Sequence, residues 1–303
     1  MLRQMLAASL LVGLVSPSFA SDAKTTSTTL SAVEIVNRNA AARGGLDAWR
    51  KVLSLSESGQ MGAGGDRREP VSTPTVTPPP GAKKVQPLPS SPRLAKEAQL
   101  PFLLELERPR KLRLELQFNG KTAIQVYDGT NGWMVRPYLN RMEVESYTPE
   151  ELKMAAMQSD LDGPLMDYQA KGSRVELAGT EKLDDRLNYK LAVTTRSGEV
   201  IHVWIDAETY LETKIEGQPR KLDGKMHPVE IYYKDYRKVE GLQIPFLLVT
   251  KVLPIENAGT HQKTANVPVE QIVIDKVVVN PKLDSSSFAK PEIKAGTVSR
   301  QGL

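Results

Sequence analysis

The sequence predicts a mainly β protein with added helical segments: an antiparallel sheet of about eleven strands in a sandwich or barrel arrangement. Three observations carry this reading. From Leu100 to Phe118, apolar residues recur at period two, as on a strand with one buried face. Turn signals recur at the short intervals expected of consecutive hairpins, and Asn119-Gly120 is the sharpest of them. Two segments interrupt the alternation with helix-start signatures, Ser31-Ala-Val-Glu34 and Thr148-Pro-Glu-Glu151.

At the N-terminus, Arg3 precedes the apolar run Met5–Val15. Ser16-Pro17 breaks that run, and Ser18-Phe-Ala20 puts small residues where a signal peptidase reads. This layout predicts a secretory signal peptide cleaved after Ala20. The run falls short of the roughly 20 residues a membrane-spanning helix needs, so the exported chain is expected to be soluble. Residues 21–30, rich in Ser and Thr, read as a disordered leader.

One domain is then expected over 31–303. Ser31 opens a helix whose apolar stripe reads as Val33, Val36, Ala40 and Ala41. Gly44-Gly45 ends it, and Leu46–Trp49 adds one more turn. Val52, Leu53 and Leu55 open the first strand. Residues 62–92 carry most of their prolines singly or in the run Pro78-Pro-Pro80. They read as a solvated polyproline-rich loop with no core-forming period.

The sheet proper follows. Phe102, Leu104 and Leu106 form one face of a strand, and Leu112, Leu114, Leu116 and Phe118 one face of the next. Ile124 and Val126, then Trp133 to Val135, continue it. Thr148 caps a helix with proline at the first helical position, where a missing N–H costs nothing. Met154, Met157 and Leu161 read as its stripe. Gly163-Pro164 breaks it, and Leu165, Met166 and Tyr168 start a further turn. Strands resume at Val175, Leu187–Val193, Val200–Ile205, Leu211–Ile215, Glu230–Tyr236, Ile244–Val252 and Gln271–Val279.

The chemistry-bearing residues exclude more than they propose. With no cysteine among 303 residues, disulfides, thiolate catalysis and Cys-based zinc sites are ruled out. So is a lipidated cysteine after the signal, where Ser21 stands. The histidines are His202, His227 and His261, and none sits in a metal-binding spacing. No G-x-S-x-G elbow, P-loop or G-x-G-x-x-G is present. His202, in mid-strand beside Trp204, reads as a packed or hydrogen-bonded sheet residue. No catalytic residue, metal or cofactor is therefore expected, and the chain reads as a non-enzyme. The formal charge is +4, with both signs interspersed, which argues against a nucleic-acid groove. A pI near 9.0 allows transient contact with an anionic membrane surface.

Four stretches carry a family resemblance: Arg43-Gly-Gly-Leu-Asp-Ala-Trp49, Tyr127-Asp-Gly-Thr-Asn-Gly-Trp133, Tyr233-Lys-Asp-Tyr-Arg-Lys-Val-Glu-Gly-Leu-Gln-Ile-Pro245, and Lys282-Leu-Asp-Ser-Ser-Ser-Phe288. Together they resemble the periplasmic outer-membrane lipoprotein carriers, the LolA/LolB-like superfamily. The resemblance runs from about Ser31 to Pro291, and the Pro-rich insert departs from it. It implies a strongly curved antiparallel sheet, an incomplete β-barrel covered by helical segments, with an apolar cavity between them that takes acyl chains. The implied function is a soluble periplasmic carrier of a lipid or lipidated protein. The alternative is a regulatory or envelope-assembly interaction module on the same scaffold, with the Pro-rich insert as a docking segment for an envelope protein. On the carrier reading, Leu112, Leu114, Leu116, Trp133 and Trp204 are expected on the concave face of the sheet, and Met154, Met157 and Leu161 on the lid above. Methionine suits a lid that must adapt to variable chains.

Overall fold

A computed structural model describes residues 30–62, 99–137, 141–222, 224–255 and 269–292. The expected signal peptide, nearly all of the leader, the insert beyond Gly62 and His261 lie outside the described residues.

Helix α1, Ala32–Ala42, starts at the reciprocal capping box: the Glu34 backbone N–H donates to Ser31 Oγ and the Ser31 N–H to the Glu34 carboxylate. Its buried face is Ile35, Val36 and Asn39. Val33, expected inside, is 48% exposed. The face turned because Asn39 donates to the Tyr210 carbonyl at 2.8 Å, so a polar residue anchors the helix where the sequence pattern sought an apolar one. The short helix α2, Leu46–Arg50, buries Trp49.

Thirteen strands form a single sheet among the described residues, against the eleven expected. They are β1 (Ser54–Gly62), β2 (Gln99–Glu107), β3 (Lys111–Phe118), β4 (Lys121–Tyr127), β5 (Gly132–Arg136), β6 (Arg141–Ser146), β7 (Arg174–Leu183), β8 (Arg186–Thr194), β9 (Val200–Asp206), β10 (Glu212–Leu222), β11 (Lys225–Val239), β12 (Leu242–Val252) and β13 (Glu270–Val279). Strand β6, of sequence Arg-Met-Glu-Val-Glu-Ser, has no fully buried position, which is why alternation did not reveal it. The order β6-β5-β4-β3-β2-β1-β13-β12-β11-β10-β9-β8-β7 joins two meanders through the antiparallel pair β1–β13. Strands β6 and β7 are the two edges, so the sheet is open and does not close into a barrel.

This topology places one connection. The chain leaves β6 at one edge and re-enters the sheet as β7 at the other, so residues 147–173 pass from edge to edge. The segment begins with helix α3, Pro149–Gln158, capped as read from the sequence by Thr148 and Glu151. Turns follow, up to Gly172. Ala155, Leu161 and Met166 from this segment share one apolar cluster with Leu55, Leu106, Leu112, Ile244, Ile274 and Trp49. The connection therefore lies against the face of the sheet that bears these residues, termed the inner face below. Burying such side chains is worth about 1.5–3 kcal/mol each, the main term holding segment and sheet together.

Candidate binding cavity

Four strands of register assign the inner face. Leu55 pairs with Leu106 and Val279, and Leu106 pairs with Leu112. Leu112, Leu114 and Leu116 thus all point inward, as alternation predicted, with Leu112 in the core cluster and the other two packed on it. Further along the sheet, Leu248, Tyr233, Ile215 and Val203 share the inner side.

Two cavities open on this side and share Asp160, Gly163, Pro164 and Ile215 in their walls. The smaller has a volume of about 180 Å³ and lies between the 160–164 turn and the sheet, with Leu55, Glu57, Tyr233, Ile244 and Ile274 as its floor. The larger, of about 750 Å³, lies between α3, the turns and the β8–β9 hairpin, with Met157, Ala156 and Ile201 on its walls. Pockets for small molecules typically measure about 300–1,000 Å³, so the larger falls in that range and the smaller below it.

A polar clamp fixes the turn that roofs the smaller cavity. The Lys171 ammonium donates to Asp160 at 2.8 Å and to the Gly163 carbonyl at 2.6 Å, and it pairs with Asp162. Arg108 pairs with Asp162 from β2's end and also donates to the Val52 carbonyl. Burial raises Asp162, but Lys171 and Arg108 outweigh it and hold the carboxyl below the usual carboxylate range. Arg43 completes the arrangement: its guanidinium donates to the Asp162 carbonyl at 2.9 Å and to Glu212 at 3.0 Å, and stacks 4.5 Å from the Trp49 ring.

The same geometry explains two of the motifs. The Arg43 carbonyl accepts from Trp49 Nε1 and from the Gln243 N–H, so the 43–49 stretch docks on the Gly241-Leu-Gln243 turn. Gly44 sits at φ +113, and a Cβ there would meet the Gly241 carbonyl oxygen at 2.7 Å. Only glycine fits this contact.

The eight residues expected at a ligand divide. Leu161 borders the smaller cavity and Met157 the larger. Leu112, Leu114 and Leu116 lie on the inner face but line neither cavity. Met154 is 42% exposed, because α3 turns Leu152, Ala155 and Ala156 to the core instead, with Ala155 alone fully buried. Trp133 pairs with Val126, which pairs with Arg113, and so faces away from the cavities. Trp204 pairs with Lys214 and Lys190 on that same far side. Its ring lies 3.8 Å from the Lys214 ammonium, and its Nε1 donates to Glu181 at 2.7 Å. Strands β5 and β9 are apolar at consecutive positions, so alternation could not say which face their tryptophans take.

Several wall residues escaped the sequence reading, among them Glu57, Tyr233 and Tyr236. A glutamate between Leu55 and Met61 at inward parity was the available signal. The Tyr236 hydroxyl donates to the Glu212 carbonyl at 3.0 Å, and burial with Glu212 nearby raises its pKa. His202 Nδ1 lies 2.8 Å from Glu216, as a hydrogen-bonded sheet histidine. Among the described residues there is no group of three or more His, Asp or Glu able to hold a metal, and no helix long and apolar enough to cross a membrane.

No family model matches the chain, and no curated protein does. Among solved structures, the fold is similar to a DUF1329 family protein from Desulfovibrio piger, at a TM-score of 0.50 and 12% identity over 86% of this chain and 98% of that one. A LolA superfamily protein from Nitrosomonas europaea aligns at 0.49 and 11% identity, over 86% of this chain and 99% of that one. An outer membrane lipoprotein-sorting protein domain from Vibrio parahaemolyticus aligns at 0.49 and 12% identity, over 86% and 96%. The match at 0.50 carries the comparison, and at this identity it speaks for the fold alone.

Proposed function

We propose that the protein is an exported, periplasmic carrier that holds the acyl chain of a lipid or lipidated protein between the inner face and the 147–173 connection. The observation that supports this most is the pair of adjoining cavities between a continuous sheet and a segment that crosses it. An acyl chain in water is disfavoured by about 0.8 kcal/mol per CH₂, so a carrier needs an apolar recess to receive it. The connection acts as its roof, and the loosely buried α3 is the part that yields to cargo. The motif resemblance to the lipoprotein carriers points the same way.

Titration with a neutral fluorescent acyl probe tests the reading. Saturable binding is expected, with competition by unlabelled long-chain lipids. Native mass spectrometry of protein recovered from its own envelope should show a bound lipid. A protein that neither binds the probe nor carries lipid is not a carrier.

A further inference from the structure

The charged groups around the smaller cavity do not balance. Arg43, Lys171 and Arg108 supply the cations, while Glu212, Asp160, Asp162 and Glu57 supply the carboxylates. Glu212 is held by Arg43, Asp160 by Lys171, and Asp162 by Lys171 and Arg108. Among the described residues, Glu57 has neither an ion pair nor a hydrogen bond, although its neighbours across β1 are the apolar Leu104 and Val277. Burial without a partner draws its carboxyl up to about 7. The Tyr233 hydroxyl, on the same cavity wall, also lacks a hydrogen-bond partner among the described residues, and burial raises its pKa. Glu57 is half-buried between apolar strand neighbours, and a carboxyl so placed is destabilising unless something meets it.

From this juxtaposition we propose that the smaller cavity is a subsite for the cationic amino group of an amphiphile, with Glu57 as its counter-ion and Tyr233 as a second acceptor. This rests on reading the adjoining cavity as an acyl-chain site. An ammonium supplies the counter-charge that Glu57 lacks, and it has N–H groups to spare for the Tyr233 oxygen on the same cavity wall. The volume of about 180 Å³ suits a head group, not a whole ligand, and the body of the amphiphile extends past Pro164 and Ile215 into the larger space. A fatty acid would set its own carboxylate against Glu57 and is disfavoured.

The test compares a long-chain alkylamine, the alkanol and the fatty acid of equal length, each displacing a neutral fluorescent acyl probe. The amine should bind about tenfold more tightly than the alkanol, the advantage of a hydrogen-bonded charge pair over a neutral contact. Glu57→Gln should abolish that preference, so that amine and alkanol then bind about equally. The comparison on the unaltered protein stands by itself if the variant fails to fold, and Tyr233→Phe, which keeps the ring, should weaken the amine selectively. Equal binding of amine and alkanol, or preference for the fatty acid, overturns the proposal and leaves the acyl-chain reading intact. If none of the three binds, the acyl-chain reading falls as well.

Discussion

Along the connection from β6 to β7, the ten residues of α3 contribute one buried side chain, Ala155, whereas the turns after it bury Ser159, Leu161, Asp162, Leu165 and Met166. The helix is capped at its start and touches the sheet chiefly through Leu152, Ala155 and Ala156. The turns are tied down by Lys171, Arg108 and Arg43, and by a bidentate pair in which Arg50 donates to Asp167. Regular secondary structure is the looser half, and irregular chain the firmer one. Order in such a segment follows from buried area and satisfied polar groups, not from helix content.

Substitutions can break this contrast. Met166→Asp should have the largest effect, because it sets an unpaired carboxylate in the core cluster. A loss of more than about 4 kcal/mol is expected in chemical denaturation. Asp162→Ala should follow, at about 3 kcal/mol, since it strands Lys171 and Arg108 without their shared partner. Hydrogen exchange in the turns around Gly163 should quicken in that variant while α3 is little changed.

A pH series sharpens the contrast from the sheet side. Glu57 binds its proton more tightly when folded than when unfolded, so the folded state holds more protons between about 4.5 and about 7. Stability should therefore fall as pH rises through that window, and Glu57→Gln should remove this part of the slope in thermal melts. Met157→Glu should lower stability by less than about 1 kcal/mol, because its side chain borders the larger cavity and can stay hydrated, yet weaken a neutral fluorescent acyl probe about tenfold. Met154→Ala should be the smallest change, within about 0.5 kcal/mol by denaturation, because the residue is exposed.

Where one face of a strand is buried and the other wet, the sequence reveals the face directly, as Leu112, Leu114 and Leu116 illustrate. Both capping boxes were legible for a local reason: their partners lie three residues apart. Trp133 and Trp204 were not legible, because each stands in an apolar run whose parity depends on pairing with a distant strand. The polar roof was hidden for the same reason. Arg43 meets Glu212 and Asp162 only after folding, and nothing in their spacing announces it. Glu57 was legible in principle, as a charge at an inward position, but alternation read as a hydrophobic pattern discards such a residue.

The seam between the two meanders bears on how this chain reaches its folded state. The Leu53 N–H donates to Asn280 Oδ1 across 227 steps of sequence, and β1 pairs with β13 from Leu55 to Met61, with a register shift after Ser58. From β2 to β6 and from β7 to β13 the sheet pairs neighbours in sequence apart from the crossover, but β1, next to the middle of the finished sheet, gains its second neighbour only when nearly all of the chain has been synthesised. Closing so long a loop is slow because its entropy cost precedes any reward. Until then β1 presents an unpaired edge beside Leu55 and Met61, the stretch of the nascent chain most in need of protection from association with its neighbours.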